Sequence, residues 1–235
     1  MRPRAKDSTD SRTVKGPKVP DGFFLAKAQS LAAFDQKWGK EPVCGLDEAG
    51  RGPLAGPLVA AAVILDPKIT WLGLDDSKKL TPQKREELSA FILERALAVG
   101  VAVKSARDVD RLNPLGASLL AMSEALEKLS LKPALALVDG NQKPLLSCPV
   151  VTVVKGDSKS LCIAAASIVA KVTRDRLMLE EHLKYPVYGF DQHKGYGVAA
   201  HLAALAKYGP SPIHRLTFRG VKPLDSESLF HDLKD

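Results

Sequence analysis

The sequence predicts an α/β protein, with one mixed β-sheet and helices on both of its faces. Five short apolar stretches in the 235-residue chain have the length and composition of buried strands. Three of these strands lie close together and the others alternate with helical patterns, an order typical of a mixed sheet. Hydrophobic residues make up 45% of the chain, which is enough for one good core.

The first 42 residues precede the predicted sheet. Residues 1–19 carry six basic and two acidic side chains, which leaves a charge of +4, and almost no large apolar residues. This composition predicts a disordered tail, either solvated or in contact with a phosphate backbone. Residues 20–42 form an N-terminal extension, in which the apolar residues of 23–38 predict a short helix.

The main domain is predicted to span residues 43–220, and residues 221–235 are a C-terminal tail. Its first strand begins at Val43 and ends at Asp47, where the apolar run gives way to charge. The other four strands are expected at 58–65, 99–105, 135–138 and 150–154.

Helical patterns fill the intervals between the strands. Before the third strand, Thr81 is a natural N-cap, Pro82 suits the first helical turn, and Gly100 is expected to close the helix. Further helices are predicted at 114–129, at 160–183 and over the short apolar stretch 198–209.

Charge and cysteine content favour some classes of protein over others. The net charge of +7 suits a polyanionic partner. It is explained equally well by a soluble protein whose molecules are kept from associating by charge repulsion. Cys44, Cys148 and Cys162 lie in apolar surroundings without metal-like spacing, which predicts buried, reduced thiols and a cytoplasmic protein. No apolar run reaches about 18 residues, so we expect no membrane-spanning helix and no membrane partner.

Four carboxylates follow three of the predicted strands. Asp47 and Glu48 end the first strand, Asp139 follows the fourth, and Asp157 follows the fifth. Sites in α/β sheets gather at the carboxyl ends of strands, so these side chains converge if the strands are parallel neighbours. Such a cluster repels itself and raises its own pKa values unless a cation is bound. Oxygen-only ligands indicate Mg²⁺ or Mn²⁺ rather than Zn²⁺.

Each carboxylate on its own has a simpler explanation. Asp139 could begin a turn, and Asp157 could cap the helix that follows it. Asp175 is a second candidate for the fourth carboxylate, although it lies inside a predicted helix with Lys171 four residues before it. The pair at the end of the first strand is harder to explain, because only Arg51 lies near enough in sequence to neutralise it.

Two loops have the composition of a sugar or phosphate contact. The glycines of Gly50–Gly52 allow close backbone approach to a ligand, with a tight turn before Pro53 as the alternative. Ser77 and Lys78 precede a helix in "DSKKL", where they could contact a phosphate or form an ordinary charged loop.

Several of these motifs together resemble one family. Bacterial ribonuclease HII, the type 2 ribonuclease H, has segments similar, in the same order, to "GLDEAGRGPLAGPLVAAAVIL", "DDSKKL", "LVDGN", "VVKGDSKS" and "YGFDQHKGYG". The similarity covers about residues 43–218. It implies a ribonuclease H-like fold, in which three antiparallel strands and then two parallel strands form a five-stranded mixed sheet. Helices flank this sheet, and a small helical part follows at the C-terminal end.

The resemblance also implies an activity. It implies hydrolysis of RNA within RNA–DNA hybrids and cutting on the 5′ side of ribonucleotides embedded in duplex DNA, as in ribonucleotide removal during DNA replication and repair. Two divalent ions, Mg²⁺ or Mn²⁺, would activate the attacking water and stabilise the leaving oxygen, giving a 3′-hydroxyl and a 5′-phosphate. No side-chain nucleophile is required, and we expect a monomer.

The family's functional residues fall on particular positions of this chain. Its carboxylates fall on Asp47, Glu48, Asp139 and Asp157. The backbone that reads the 2′-hydroxyl falls on Gly50, Arg51 and Gly52, and the tyrosine that stacks beneath the sugar falls on Tyr196.

The chain departs from the family pattern at two places. The family often has two arginines after the histidine of "HRLTF", where this chain has Leu216 second, so one substrate contact is open. The segment before residue 43 is longer than in many members and has no assigned role.

Two rival classes of protein are weighed against this family. A nucleic-acid-binding module without catalysis would not need converging carboxylates. Another metal nuclease of the same fold would not need both a glycine loop and Tyr196.

Overall fold

The computed structural model describes residues 21–221, so the tail predicted over 1–19 and nearly all of the tail predicted over 221–235 lie outside the described residues. The sheet consists of β1 Val43–Ala49, β2 Leu58–Ile64, β3 Ala98–Lys104, β4 Leu135–Asp139 and β5 Val150–Val153. The α-helices are α1 Asp21–Gln36, α2 Pro82–Arg95, α3 Ala106–Glu127, α4 Leu161–Lys184, α5 Phe190–His193 and α6 Ala199–Tyr208. No helix in this range is long and apolar enough to cross a membrane.

The sheet has the strand order β3-β2-β1-β4-β5. β1 pairs antiparallel with β2, and β2 with β3, whereas the β1–β4 and β4–β5 pairs are parallel. This confirms the expected mixed sheet of three antiparallel and then two parallel strands. Because β1, β4 and β5 run in the same direction, their carboxyl ends lie at one edge of the sheet, where sites of α/β proteins form.

Helices cover both faces of the sheet. Every residue of β2 is buried, because its side chains contact a separate apolar cluster on each side. Val59, Ala61 and Val63 pack on the face covered by α2 and α4, whereas Ala60 and Ala62 pack on the face covered by α3. A continuous apolar run is therefore the pattern that this central strand requires.

Two glycines let helices approach the sheet closely. A Cβ at Gly45 of β1 would lie 2.1 Å from the backbone carbonyl carbon of Cys162 in α4. A Cβ at Gly100 of β3 would lie 2.0 Å from the carbonyl oxygen of Ala125 in α3. The prediction that Gly100 closes the preceding helix is wrong, because α2 ends at Arg95 and this glycine is a contact point inside a strand.

Helix α3 begins earlier than its sequence pattern predicted. Ser105 and Asp108 form a reciprocal capping box, which starts the helix at Ala106. The expected start near Pro114 instead marks a kink, where Asn113 has a φ of 59°. Proline lacks the N–H that the preceding turn needs and therefore interrupts the helix at this point.

Local capping also sets the starts of α2 and α4. Thr81 caps α2 as predicted, with its hydroxyl accepting the Lys84 N–H at 3.2 Å. Ser160 caps α4 in the same way, accepting the Ile163 N–H at 3.2 Å. These side chains satisfy backbone donors that the first helical turn leaves without partners.

Helix α1 occupies most of the predicted extension and packs against the domain. Leu31 is buried in the cluster that contains residues of α4. The Asp35 Oδ2 atom accepts the backbone N–H of Cys162 at 2.9 Å, which adds a second cap at the start of α4. Cys44 and Cys162 are buried, whereas Cys148 is partly exposed, so the expectation of three buried thiols is correct for two.

Candidate active site

A cleft of about 360 Å³ lies at the carboxyl ends of β1 and β4, and we call it the carboxylate cleft. All the site residues predicted from the sequence line it: Asp47, Glu48, Gly50, Arg51, Gly52, Ser77, Lys78, Asp139, Asp157 and Tyr196. The lining is completed by Ala49, Ser167, Lys171 and Arg174. The fold therefore brings together candidate residues that are far apart in the sequence.

The sheet register explains why the carboxylates converge. Asp47 and Asp139 each follow the last paired position of the parallel strands β1 and β4, so they occupy equivalent places at the sheet edge. Asp139 Oδ1 accepts the backbone N–H of Gly156 at 2.6 Å. This contact holds the short turn that carries Asp157 next to the end of β4.

The two carboxylates of β1 are buried close to like charge. Burial raises the pKa of Asp47 well above its usual value, and the charges of Glu48 and Asp139 raise it further. Burial also raises the pKa of Glu48, against the opposing effect of Arg51. The Arg51 Nη1 atom lies 3.3 Å from Glu48 Oε1, and half of the arginine side chain is exposed to solvent.

Asp157 is in a similar environment. Burial raises its pKa, and the nearby carboxylates of Asp76 and Asp139 raise it further. The ammonium group of Lys78 opposes this shift from 4.0 Å, the distance between Lys78 Nζ and Asp157 Oδ2. Since the Lys78 side chain is 85% exposed, solvent weakens the compensation that it provides.

The donor set fits a hard divalent cation in type and in charge. All four carboxylates offer oxygen ligands. Burial, together with nearby like charge, raises the pKa of Asp47, Glu48 and Asp157, and a bound cation would oppose this effect. Within residues 21–221, no three His, Cys, Asp or Glu side chains are already arranged to hold an ion.

Asp175, the alternative fourth carboxylate, lies outside the cleft lining. Its Oδ1 atom accepts a hydrogen bond from Lys171 Nζ at 2.8 Å, the helical i,i+4 pair that the sequence suggested. Lys171 itself lines the cleft, which places a positive charge on the wall formed by α4. The geometry thus favours Asp157 over Asp175 as the companion of Asp47 and Asp139.

The glycine loop, Gly50–Gly52, is packed tightly against the protein at Gly50 and has free space beside it at Gly52. Gly50 has a φ of +98°, and a Cβ there would lie 2.2 Å from Arg174 Nε, so both conformation and space require glycine. A Cβ at Gly52 would meet no atom within 4 Å. The backbone at Gly52 therefore faces open space, as close approach of a ligand requires.

A buried arginine that the sequence analysis did not assign holds this loop in place. Arg215 is fully buried, and it donates to the carbonyl oxygens of Gly50 at 2.6 Å, Arg51 at 3.0 Å and Gly56 at 2.9 Å. Leu216, the departure from the family pattern, is instead 55% exposed. The arginine of "HRLTF" therefore supports the loop from behind, and no local pattern in the sequence indicates its burial.

Arg174 supports the other end of the same loop. It is 1% exposed, and it donates to the carbonyl oxygens of Pro57 at 2.9 Å and Ala55 at 3.2 Å. Its guanidinium carbon lies 5.9 Å from the centre of the Tyr196 ring, within range of a cation–π contact. The two predicted recognition elements, the glycine loop and Tyr196, thus share a buried arginine.

The remaining candidates differ in how far they are free to contact a ligand. Tyr196 is 46% exposed, so a face of its ring is open to solvent. Ser77 is buried, and its hydroxyl lies 2.9 Å from that of Ser167, which already satisfies it. Lys78 remains the only exposed member of the predicted "DSKKL" contact that also lines the cleft.

Comparisons with known proteins agree with this geometry. A family model described as ribonuclease HII matches residues 44–221. The ribonuclease HII of Geotalea daltonii is 58% identical over 203 residues, covering 85% of this chain and 94% of that protein. The ribonuclease HII of Bacillus licheniformis is 49% identical over 212 residues, covering 85% of this chain and 83% of that protein.

A solved structure extends the similarity to three dimensions. The ribonuclease H2 from Pyrococcus horikoshii superposes with a TM-score of 0.67 at 31% sequence identity, covering 76% of this chain and 94% of that one. The chain therefore belongs to the ribonuclease HII family, and it is an endoribonuclease.

Proposed function

We propose that this protein is a metal-dependent endonuclease that hydrolyses RNA in RNA–DNA hybrids and cuts on the 5′ side of ribonucleotides embedded in duplex DNA. The observation that carries the proposal is the shared lining of the carboxylate cleft, where four carboxylates, the glycine loop and Tyr196 face one space. In the cell, this activity would serve ribonucleotide removal during DNA replication and repair.

The carboxylates Asp47, Glu48, Asp139 and Asp157 would hold Mg²⁺ or Mn²⁺. Their oxygen donors, and the raised pKa values of Asp47, Glu48 and Asp157, support this assignment. Held by these residues, two such ions would supply an activated water and would stabilise charge on the leaving oxygen, which would give 3′-hydroxyl and 5′-phosphate products.

The protein's own groups orient the reaction and do not attack the phosphate. Arg51 restrains one oxygen of Glu48, and the Gly156 N–H restrains one oxygen of Asp139, so each carboxylate keeps a second oxygen for a ligand. The thiol of Cys44 is fully buried, and burial raises its pKa, so it remains protonated and is not a nucleophile.

Recognition of the ribonucleotide would come from the glycine loop and Tyr196. The backbone at Gly50–Gly52 can approach a 2′-hydroxyl closely, and the half-exposed ring of Tyr196 offers a flat apolar surface to the sugar. Lys78 and Lys171 can contact phosphate oxygens at the wall of the cleft. A site built to hydrogen-bond a hydroxyl strongly disfavours the analogue that lacks it, which would exclude plain DNA.

The test is cleavage of a DNA duplex that contains one ribonucleotide, with Mg²⁺ and with a chelator. We expect one Mg²⁺-dependent cut on the 5′ side of the ribonucleotide, and we expect an RNA–DNA hybrid to be cut as well. The control is the same duplex made of DNA alone. Equal cutting of that control would indicate another metal nuclease, and binding without cutting would indicate a binding module.

A further inference from the structure

Two buried histidines lie behind Tyr196, outside the lining of the carboxylate cleft. His201 and His214 are 0% and 3% exposed, and their Nε2 atoms lie 2.9 Å apart. The Nδ1 atom of His214 contacts the Ser211 N–H at 2.9 Å and the Ser211 hydroxyl at 2.7 Å. The Nδ1 atom of His201 lies 2.9 Å from the carbonyl oxygen of Tyr196. The four residues form one continuous chain of hydrogen bonds.

Only one arrangement of protons satisfies every contact in this chain. The backbone N–H of Ser211 always donates, so His214 Nδ1 accepts and His214 carries its proton on Nε2. That proton is donated to His201 Nε2, so His201 carries its own proton on Nδ1. The Nδ1–H of His201 then donates to the Tyr196 carbonyl oxygen, which can only accept. A second proton on either ring would bring two N–H groups face to face.

The surroundings of the pair favour this neutral state. The ring of His193 stacks on His201 with centroids 4.5 Å apart, and the ring of Tyr188 lies 4.9 Å from that of His214. Burial lowers the pKa of both imidazoles, and the neighbouring His201 lowers the pKa of His214 further. A cationic imidazole is therefore disfavoured at either position.

The chain of hydrogen bonds connects the two recognition elements of the cleft. At one end it holds the backbone of Tyr196, whose ring faces the cleft. At the other end His214 immediately precedes Arg215, which holds the carbonyl oxygen of Gly50 at 2.6 Å. A shift of this histidine pair would therefore change the position of Tyr196 relative to the glycine loop.

We propose that His201 and His214 are positioning residues, which as a neutral pair hold Tyr196 in place opposite the glycine loop and so determine selectivity for the ribonucleotide. The inference rests on the proposed function, because it assigns the pair a role in sugar recognition. Neither histidine contacts the substrate in this role, and their effect is transmitted by the single hydrogen bond from His201 to the Tyr196 carbonyl oxygen.

The first test removes that hydrogen bond and retains the bulk of the ring. His201→Phe should lower kcat/KM on the single-ribonucleotide duplex roughly tenfold, the effect of losing one buried hydrogen bond. His201→Asn, whose amide can donate from near the position of Nδ1, should recover most of this loss. The matched control is Tyr188→Phe, which removes the hydrogen bond from the Tyr188 hydroxyl to the Gly209 carbonyl oxygen in the same cluster. It should leave kcat/KM within about twofold.

A second measurement separates positioning from a general loss of stability. In a Tyr196→Ala background the effect of His201→Phe should vanish, because the residue through which it acts is absent. A loss of equal size in both backgrounds would overturn the inference. Should His201→Phe not fold, His201→Gln replaces it, since the longer amide reaches the Nε2 position and withdraws the donor from Nδ1.

Amide hydrogen exchange across residues 195–198, measured on the metal-free protein, is a readout independent of activity. It should become roughly tenfold faster in the His201→Phe or His201→Gln variant and stay unchanged in Tyr188→Phe. Unchanged exchange in the His201 variants would overturn the inference. If exchange responds but Tyr196→Ala cuts as fast as the wild type, the role of Tyr196 in the proposed function fails while its positioning by His201 stands.

Discussion

Two adjacent polar regions of this protein are built in opposite ways. The histidine–arginine scaffold consists of Arg174, His201, His214 and Arg215. Its polar atoms contact backbone carbonyls, each other or Ser211, and Arg174 Nη1 is the one buried scaffold atom without a partner among the described residues. In the carboxylate cleft, by contrast, like charges are neighbours and burial raises three carboxylate pKa values.

This difference indicates different roles for the two regions: the carboxylates of the cleft serve the reaction, whereas the histidines and arginines of the scaffold hold the local structure. A buried polar group without a partner raises the free energy of the folded state, so folding alone does not explain the carboxylates. An external cation and a phosphate can complete the cleft, whereas the scaffold is complete without them. Substitutions in the cleft should therefore lower activity without lowering stability, and substitutions in the scaffold should lower both.

The largest effect is expected at the centre of the cleft. Asp47→Asn should reduce Mg²⁺-dependent cleavage at least about a thousandfold, because in the proposed function it weakens the ligand set of ions that would activate water. Its amide oxygen can still accept the Glu48 N–H, as Asp47 Oδ1 does at 2.7 Å. Thermal unfolding in chelator should occur at the same or a higher temperature, since a like charge is removed.

The stability gain of Asp47→Asn should also depend on pH in a defined direction. The raised pKa of Asp47 means that the folded state binds a proton more readily than the unfolded state does. Lowering the pH through this raised value therefore stabilises the wild type, and the difference between the two proteins should shrink. Near-native turnover of the variant, or a difference that grows in acid, would contradict the assignment.

The fourth carboxylate provides the next contrast. Asp157→Asn should reduce turnover by roughly a hundredfold or more, because Asp157 lines the cleft. Asp175→Asn should change turnover by less than about threefold, because Asp175 lies outside the cleft lining, where its carboxylate is already paired with Lys171. Measuring both variants under identical Mg²⁺ conditions gives the comparison. A large loss in Asp175→Asn beside a small one in Asp157→Asn would reverse the roles.

In the scaffold, Arg215→Met should impair stability and activity together. It leaves the carbonyl oxygens of Gly50, Arg51 and Gly56 without their donor. We expect the free energy of unfolding to fall by about 3 kcal/mol or more, with weaker selectivity for the ribonucleotide. Arg215→Lys should recover little, since an ammonium cannot reproduce the planar fork. Denaturant titration and cleavage of the ribonucleotide duplex measure the two effects, and a stable, selective Arg215→Met variant would argue against the scaffold.

Lowering the pH should have opposite effects on stability in the two regions. Protonation of the scaffold histidines destabilises the folded state, whereas protonation of the carboxylates removes charge repulsion in the cleft. Burial lowers the pKa of His214 to about 4, and it also lowers the pKa of His201. Below pH 6.5 the unfolded chain binds these protons more readily than the folded protein, so stability falls as the pH drops toward 4. The loss of stability due to His214 should therefore occur between pH 6.5 and about pH 4.

The carboxylates respond to pH in the opposite direction and would mask the effect of His214 on stability. We therefore compare the free energy of chemical unfolding of the wild type with that of His214→Asn between pH 7 and pH 4. Both proteins have the same carboxylates, so the contribution of the cleft cancels in the difference. The advantage of the wild type should decline as the pH falls. A constant difference across this range would show that the histidine does not titrate as its burial requires.

The sequence predicts the cleft well and the scaffold poorly, for a physical reason. Asp47 and Asp139 each end an apolar run, so strand periodicity places each near the carboxyl end of a strand, and the parallel pairing of β1 with β4 brings those ends to one sheet edge. Thr81 predicts the start of α2, because its capping hydrogen bond is made with Lys84, only three residues away in the chain. These features depend on neighbours in the chain, and neighbours in the chain are what a sequence displays directly.

Features that depend on distant contacts have no such local signal. Gly100 resembles a helix terminator, but its role is set by the Ala125 carbonyl oxygen of a helix that packs across the strand. Arg215 resembles an exposed basic residue, but its acceptors lie about 160 positions earlier in the chain. The pairing of His201 with His214 likewise depends on the turn between α6 and the end of the domain. The scaffold therefore becomes visible only in the folded structure.

The smallest predicted effect lies at the exposed rim of the cleft. Lys78 is 85% exposed and 4.0 Å from Asp157, a distance at which an exposed pair contributes little to stability. Lys78→Ala should leave the unfolding temperature unchanged and should weaken substrate binding only severalfold at low salt. The effect should fade as salt is raised, because a phosphate contact is screened. Lys79→Ala is the matched control, since Lys79 pairs with Asp75 at 3.5 Å and does not line the cleft. Equal losses in the two variants would assign the effect to general basic charge, whereas a loss confined to Lys78→Ala marks a specific contact at the rim.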